Sequence, residues 1–346
     1  MKYLYILFVL TGIFFLSCRK DTPDEAVSEN VPTIKPLGGV FITNEGNLNW
    51  GNASVSYYSF EEQKVTEDIY KAANNRPLGD VCQSMTIESG KAYAVVNNSN
   101  KVEIIDPVSF KSEGTIRGLT SPRYFLPINN KKAYVSDLYS NAVSVVNLDS
   151  KSKTKDISCP GWTEQMVLVS NQAFVTNMRK EFIYIINTEE DKIVDSIKVG
   201  FSPNSILQDK NGKLWVLSSG SRDRNIPASL SKINPQNKTV EKTINFPDAS
   251  RGAGKLTING TLDTLYFLSR GVYQMPILQE NIPPMPLVET GDAIFYGLGI
   301  HPQNGHIYVS DAIDYVQKGV VYRYKNDGTL IDSFNAGIIP GNFYFY

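Results

Sequence analysis

Amide, guanidinium, carboxylate and aromatic side chains recur in this sequence beside short stretches of alternating apolar residues. One set follows the second predicted strand of successive sequence units: Asn44, Glu45, Trp50, Asn97, Asn98, Asp137, Tyr139, Asn177, Arg179, Arg222, Arg270, Tyr273 and Asp311. Another set lies where one unit joins the next: Gln83, Arg123, Tyr124, Trp162, Asn204, Tyr296 and Asn342. Because such groups on loops over a rigid scaffold are typical of recognition sites, we predict that they bind a ligand.

Several of these residues also have a purely structural interpretation. Four polar ones could instead bond backbone amides in turns: Asn44, Asp137, Asn177 and Asp311. Five aromatic ones could instead fill the space between units: Trp50, Tyr139, Trp162, Tyr273 and Tyr296. Both interpretations stay open from the sequence alone.

Catalysis has little support in the sequence. His301 and His306 are the two histidines, which argues against a histidine-centred triad or a multi-histidine metal site. The motifs H-E-x-x-H, C-x-x-C and G-x-S-x-G and a phosphate-binding glycine loop do not occur. A hydrolytic carboxylate pair drawn from Glu45, Asp137 and Asp311 stays a minor alternative, and no D-x-D-x-D series suggests calcium. We therefore predict a binding protein that is not an enzyme and requires no cofactor or metal.

The elements that position these residues come from a repeat. An apolar-aromatic phrase such as K-A-Y-V-S-D occurs seven times, with its ring at Phe41, Tyr93, Tyr134, Phe174, Trp215, Tyr266 and Tyr308. A period of about 40 to 50 residues with alternating apolar positions is typical of propeller blades. We predict an all-β, seven-bladed β-propeller of four-stranded blades, in which the repeated rings are packing residues.

The third repeat predicts the strands of one blade. We expect an inner strand over residues 123–128, a second over 133–137, a third over 142–148 and an outermost strand over 155–159, each with two-residue periodicity. Tight turns before the aromatic strand are predicted at Ser89-Gly90, Asn211-Gly212 and Asn304-Gly305.

The two ends of the repeat region complement each other. The first repeat has no inner strand before Phe41, whereas residues 340–346 form a strand-like tail that resembles residues 122–126. We predict that this tail is the inner strand of the first blade and closes the ring, which removes open sheet edges.

Composition narrows the class of partner. The chain has 346 residues, 42% hydrophobic and 20% charged side chains, and a formal net charge of -1. It has neither the basic surface of a nucleic-acid-binding protein nor a polybasic membrane face. We expect partners to be chosen by shape and hydrogen bonding.

The N-terminus predicts export. Lys2, the apolar residues 4–16 and then Ser17-Cys18 resemble a bacterial lipoprotein signal, with Phe15 where leucine is most common. We predict a signal peptide over residues 1–17, lipidation of Cys18, a polar tether over 18–36 and a propeller over 37–346. An ordinary signal peptide is the alternative. Acidic residues after Cys18 resemble a surface-export signal, although a plain linker would look the same.

Whether Cys82 and Cys159 form a disulfide is left open by the sequence.

The order of six phrases resembles that of a known family. N-E-G-N, L-G-D-V-C-Q-S, V-V-N-N-S-N-K, S-P-R-Y, D-L-Y and S-P-N-S-I, between Asn44 and Ile206, resemble the YncE-like surface propeller lipoproteins of Gram-negative anaerobes. Within that group the chain looks like the BtuG type. This resemblance implies capture of cobalamin or another corrinoid at the outer-membrane surface and its transfer to a TonB-dependent transporter. A carbohydrate-binding accessory of a glycan importer, or an adhesion propeller without a small ligand, are the alternatives.

Overall fold

The computed structural model describes residues 34–346. The predicted signal peptide, the predicted lipidation site Cys18 and the first part of the predicted tether lie outside the described residues. Within residues 34–346, no helix is long and apolar enough to cross a membrane.

The fold is an all-β ring of seven four-stranded antiparallel blades, as predicted. The inner strands are β28 (Pro340–Phe345), β4 (Cys82–Glu88), β8 (Pro122–Asn129), β12 (Thr163–Val169), β16 (Pro203–Gln208), β20 (Gly254–Ile258) and β24 (Phe295–Ile300). The second strands are β1 (Gly39–Asn44), β5 (Lys91–Val96), β9 (Lys132–Asp137), β13 (Gln172–Asn177), β17 (Leu214–Ser218), β21 (Thr264–Leu268) and β25 (Ile307–Asp311).

The outer half of each blade completes the sheets. The third strands are β2 (Ser54–Ser59), β6 (Lys101–Ile105), β10 (Ala142–Asn147), β14 (Phe182–Asn187), β18 (Ser229–Asn234), β22 (Gly271–Pro276) and β26 (Lys318–Tyr324). The outermost strands are β3 (Lys64–Thr66), β7 (Ser112–Ile116), β11 (Ser152–Ser158), β15 (Lys192–Lys198), β19 (Thr239–Asn245), β23 (Val288–Glu289) and β27 (Leu330–Ile338). A short helix, α1 (Ile69–Asn74), lies between the first and second blades.

The ring closes as the tail sequence predicted. Strand β28 pairs antiparallel with β1, with Phe41 opposite Tyr344 and Thr43 opposite Asn342, so the first blade has the order β28-β1-β2-β3. The last strand of the chain therefore joins the blade in which the repeat began.

In the third blade the predicted strands agree with the structure except at the outermost one. Strand β11 begins at Ser152 rather than at residue 155 because its pairing with β10 continues through a register shift between Val145 and Val146. A bulge interrupts the two-residue pattern, so periodicity alone predicts only the part of β11 that follows the bulge.

The core lies between neighbouring blades. All seven repeated rings are buried, from fully enclosed Phe41, Tyr134 and Phe174 to 5% exposed Tyr93. Cluster residues come from adjacent sheets, as where Tyr134 of β9 packs with Val175 of β13. The packing role predicted for the repeated rings is confirmed.

Candidate ligand-binding site at the channel mouth

A β-bulge occurs at the same place in the inner strand of every blade. In the second blade, Cys82 faces Val96 and Ser84 faces Val95, so Gln83 is the extra residue. The equivalent shift follows the first paired residue of each other inner strand. The residues at this position are Gln83, Arg123, Glu164, Asn204, Lys255, Tyr296 and Gly341. Bulges re-aim side chains and are common beside functional sites.

Six of these seven bulge residues line one cavity of about 240 Å³, which we call the outer chamber. They are Gln83, Arg123, Glu164, Asn204, Lys255 and Tyr296. Met178 and Ser219, from loops between second and third strands, also line it, so the chamber opens on the loop-rich face. The bulges thus bring six different blades to one point.

An ion pair spans two blades in the outer chamber. Nε of Arg123 donates to Oε1 of Glu164 at 2.8 Å, and the same guanidinium donates to the side chain of Gln83. The Glu164 side chain is 3% exposed. Burial raises the pKa of Glu164, although Arg123 opposes the shift. The pair fixes the orientation of both side chains on one side of the chamber.

Lys255 reaches across the channel to the closing strand. Its Nζ donates to the carbonyl oxygen of Gly341 at 2.9 Å and to Oδ1 of Asn342 at 3.3 Å. The ammonium also lies 5.2 Å from the ring centre of Tyr296. Burial lowers the pKa of Lys255, while the nearby Glu45 carboxylate acts in the opposite direction. Lys255 has a φ of 56°, in the left-handed region that non-glycine residues seldom adopt.

Tyr296 connects the chamber to the loop after β1. Its hydroxyl donates to Oε1 of Glu45 at 2.8 Å. Burial, followed by the charge of Glu45, raises the pKa of Tyr296, so the phenol stays protonated and acts as a donor.

A second cavity of about 230 Å³, the inner chamber, lies deeper in the channel and shares Tyr124, Gln165 and Lys255 with the outer one. Its other lining residues are Met85, Leu256, Thr257, Leu298, Asn342, Phe343 and Tyr344. Burial raises the pKa of Tyr124 to about 12. Arg123 and Glu164 line only the outer chamber, whereas Lys255 lines both.

Aromatic residues form the rim of the mouth. Tyr139 is 62% exposed and meets Trp162 edge to face at 6.0 Å, and the guanidinium of Arg179 lies 3.9 Å from a Trp162 ring centre. In the first blade Trp50 is 77% exposed, and in the seventh Tyr315 meets Tyr296 edge to face. Exposed rings and cations of this kind suit flat ligands.

Comparison with known proteins identifies the family. Residues 38–346 match the family model described as a domain of unknown function, DUF5074. The chain belongs to the DUF5074 family. No curated protein matches this DUF5074 chain in sequence.

Solved structures share the fold of this DUF5074 chain. A quinonprotein alcohol dehydrogenase-like protein from Bacteroides thetaiotaomicron VPI-5482 is 15% identical, with a TM-score of 0.72, over 89% of this chain and 78% of that one. A protein from Lactobacillus plantarum is 12% identical, with a TM-score of 0.67, over 89% and 99%. A streptogramin B lyase is 14% identical, with a TM-score of 0.60, over 75% and 85%. At these identities the similarity shows the propeller fold alone.

Five of the predicted polar residues of the DUF5074 chain hold loops in place. The Asp137 carboxylate accepts from the backbone amides of Ser121, Tyr139 and Ser140. Side-chain bonds of the same kind, to backbone groups or neighbouring hydroxyls, are made by Asn44, Asn97, Asn177 and Asp311. These side chains hold the loops of the mouth, as the structural interpretation anticipated for all of them except Asn97.

Four predicted residues lie away from the outer chamber. Asn98 bonds Asp80 at 2.6 Å and Asn49 at 3.0 Å, which anchors the loop carrying Trp50. Arg222 is exposed, and Arg270 donates to the carbonyl oxygen of Ser250. Tyr273 was expected in a loop, but the structure places it within β22, buried and stacked on Phe267, because β22 begins at Gly271.

Glu164, Gln165 and Lys255 line the chambers but were not predicted. Gln83, Arg123, Tyr124, Asn204, Tyr296 and Asn342 were predicted, and all of them line one of the two chambers. Aligning the residue after the first inner-strand position across all seven repeats would have added Glu164 and Lys255. No group of three or more His, Cys, Asp or Glu residues within 34–346 is arranged to hold a metal ion.

Proposed function

We propose that this protein is a ligand-binding propeller that holds a small molecule over the outer chamber without transforming it. The convergence of six bulge residues from six blades under an aromatic rim carries the proposal. A concave, loop-rich mouth with a few fixed polar groups and exposed rings is a typical small-molecule site. A seven-bladed propeller supplies the rigid frame for it.

Cobalamin or another corrinoid is the ligand that we propose. A corrinoid is a flat macrocycle edged with amides, so rings can cover its face while fixed donors and acceptors bond its edge. Tyr139 and Trp162 supply rings at the rim, and Gln83, Asn204 and Arg123 supply polar groups below. The resemblance of the loop phrases to BtuG-type lipoproteins supports the same ligand.

The cellular setting is part of the proposal. A lipid on Cys18 would anchor the propeller to the outer membrane, facing the cell surface, through the polar tether. Hand-over to a TonB-dependent transporter follows from the resemblance. The N-terminal sequence and the loop phrases support these steps.

A carbohydrate ligand is the second candidate, favoured by one observation. Trp50 and Tyr139 present rings that are 77% and 62% exposed, as stacking against sugar rings requires. An accessory lipoprotein of a glycan importer would use such rings.

Calorimetric titration of the purified full chain with cyanocobalamin and with a panel of neutral glycans tests the proposal. We expect one-to-one corrinoid binding that weakens by about tenfold or more in Tyr139→Ala and Trp162→Ala, because rim aromatics dominate such contacts. Leu278→Ala is the control, since Leu278 is 80% exposed in the turn between third and fourth strands, on the other face.

Each result assigns the ligand differently. Corrinoid binding that the rim variants weaken and the control leaves intact supports capture of a corrinoid. Glycan binding alone moves the assignment to sugar import. If neither ligand binds, the result contradicts the proposal and favours an adhesion propeller.

A further inference from the structure

The two cations of the outer chamber are held differently. Arg123 is neutralised by Glu164 at 2.8 Å. Lys255 donates only to uncharged oxygens, and among residues 34–346 no carboxylate lies within 4 Å of its Nζ. The nearby Glu45 is instead bonded to the hydroxyl of Tyr296. Lys255 is thus a cation in the channel without a direct ionic partner.

Free donors remain on both cations. An ammonium group has three N–H bonds, and the contacts to Gly341 and Asn342 use two of them. For Arg123, Nε and Nη1 are engaged, whereas Nη2 has no hydrogen-bond partner within the described part of the chain. Both residues line the outer chamber. Two unused charged donors therefore border one cavity.

Three charged side chains line the outer chamber: Arg123, Lys255 and Glu164. The Glu164 carboxylate is bonded to Arg123, and the nearby Glu45 carboxylate is bonded to the Tyr296 hydroxyl, so neither pairs directly with Lys255. A charge removed from water without an ionic partner is costly, and burial lowers the pKa of Lys255 accordingly. A single negative group entering the chamber would offset this cost and complete the hydrogen bonds.

We propose that the outer chamber binds one oxyanion group of the ligand between Lys255 and Arg123. This inference rests on the proposed function, because it concerns a ligand held at the same mouth. The ligand would then carry a negatively charged group. This group is either a phosphate diester, as in the nucleotide loop of cobalamin, or a carboxylate, as in an acidic sugar. The aromatic rim would then bind the uncharged part.

Inorganic phosphate tests the oxyanion site without assuming a ligand. The full chain is labelled with ¹³C at the lysine ε-carbons, and the Lys255 signal is the one absent from Lys255→Arg. At constant ionic strength we expect phosphate to shift the Lys255 signal saturably, while those of the exposed Lys64 and Lys192 move little. A Lys255 signal that moves no more than these controls overturns the proposal.

Matched ligand pairs then distinguish the sources of the anion. Cyanocobalamin is compared with dicyanocobinamide, which lacks the phosphate diester, and galacturonate with galactose. Lys255→Met should weaken binding of the pair member that carries the oxyanion by about tenfold or more and leave binding of the other member unchanged, whereas Lys255→Arg should retain most of the affinity. Equal loss for both members overturns the proposal. If neither pair binds the wild type, the proposed ligands fail, and the phosphate shift still decides the oxyanion site.

Discussion

Glu103, in the middle of β6, is a fully buried carboxylate with four polar neighbours. It accepts from Nζ of Lys101 at 2.7 Å, from Nη2 of Arg76 at 2.7 Å and from the hydroxyls of Ser112 and Thr115. Burial alone would raise the pKa of Glu103, but the bonds from Lys101, Ser112 and Arg76 lower it to about 2. The folded state therefore favours the ionised carboxylate.

This shift predicts acid sensitivity of the fold. Because the folded pKa of Glu103 lies below its unfolded value, the stabilisation is complete above about pH 5 and is lost as the pH falls towards 2. We expect protonation of Glu103 to lower the free energy of unfolding by about 2 kcal/mol between pH 6 and pH 3. Urea denaturation at both pH values measures the loss.

Glu103→Gln separates this carboxylate from general acid effects. It should be less stable at pH 6 because Lys101 and Arg76 lose their partner, and its stability should fall less steeply towards pH 3. Glu113→Gln, at a surface pair with Lys91, should keep the wild-type slope. An acid slope unchanged in Glu103→Gln would contradict this assignment.

At the start of the inner strands, Gln83, Arg123, Asn204 and Tyr296 were predicted as site residues, whereas Glu164 and Lys255 at the equivalent position were missed. Asp137 and Asn177 stand out after an apolar phrase, yet their side chains serve the backbone. Lys255 and Glu164 lie inside inner strands, where alternation alone does not tell which face each side chain takes. The β-bulge determines the face on which these side chains lie, and the position of the bulge depends on the pairing between strands.

At the scale of the element, β24 and β28 approach each other closely because β24 carries two glycines. A Cβ at Gly297 would lie 2.7 Å from the Gly341 carbonyl oxygen, and one at Gly299 would lie 2.6 Å from Cβ of Phe343. Backbone without side chains lets the seventh blade pack against the closing strand.

Gly299→Ala should therefore destabilise the seam between the first and seventh blades. We expect a loss of about 1 to 3 kcal/mol, because the added methyl must displace Phe343 or the backbone beside it. Thermal denaturation measures the change. Gly252→Ala is the matched control, since a Cβ there meets nothing within 4 Å. Equal stability of the two variants would show that the seam tolerates the extra volume.

Strands were predictable as elements because their pattern repeats, and, apart from the start of β11, errors arose where one blade departs from the others. The seven aromatic strands share an apolar phrase, so each confirms the rest. In the sixth blade, the outermost strand β23 has two residues and follows a proline-rich connection, so no periodicity marks it. Tyr273 was misplaced in the same blade, because β22 starts directly after Arg270.

At the scale of the whole molecule, the closing strand β28 links the first blade to its two neighbours. Gly39 and Tyr346 exchange backbone hydrogen bonds of 2.9 and 3.0 Å, which ties the last residue to the start of β1. The hydroxyl of Tyr344 accepts from the Met85 amide at 2.8 Å, and Phe343 packs in the cluster with Tyr308. The tail thus contacts the second and seventh blades as well as its own.

Removing residues 340–346 should destabilise the entire ring rather than one blade. The deletion exposes the edge of β1, removes the Gly341 and Asn342 partners of Lys255 and leaves a gap beside Tyr308. We expect a single melting transition at clearly lower temperature and a tendency to aggregate through the open edge.

A synthetic peptide of residues 338–346 should restore much of the melting temperature by strand addition, and the same peptide with Phe343→Asp should not. A truncated chain that keeps its wild-type melting temperature and solubility would show that the other six blades hold the ring without closure.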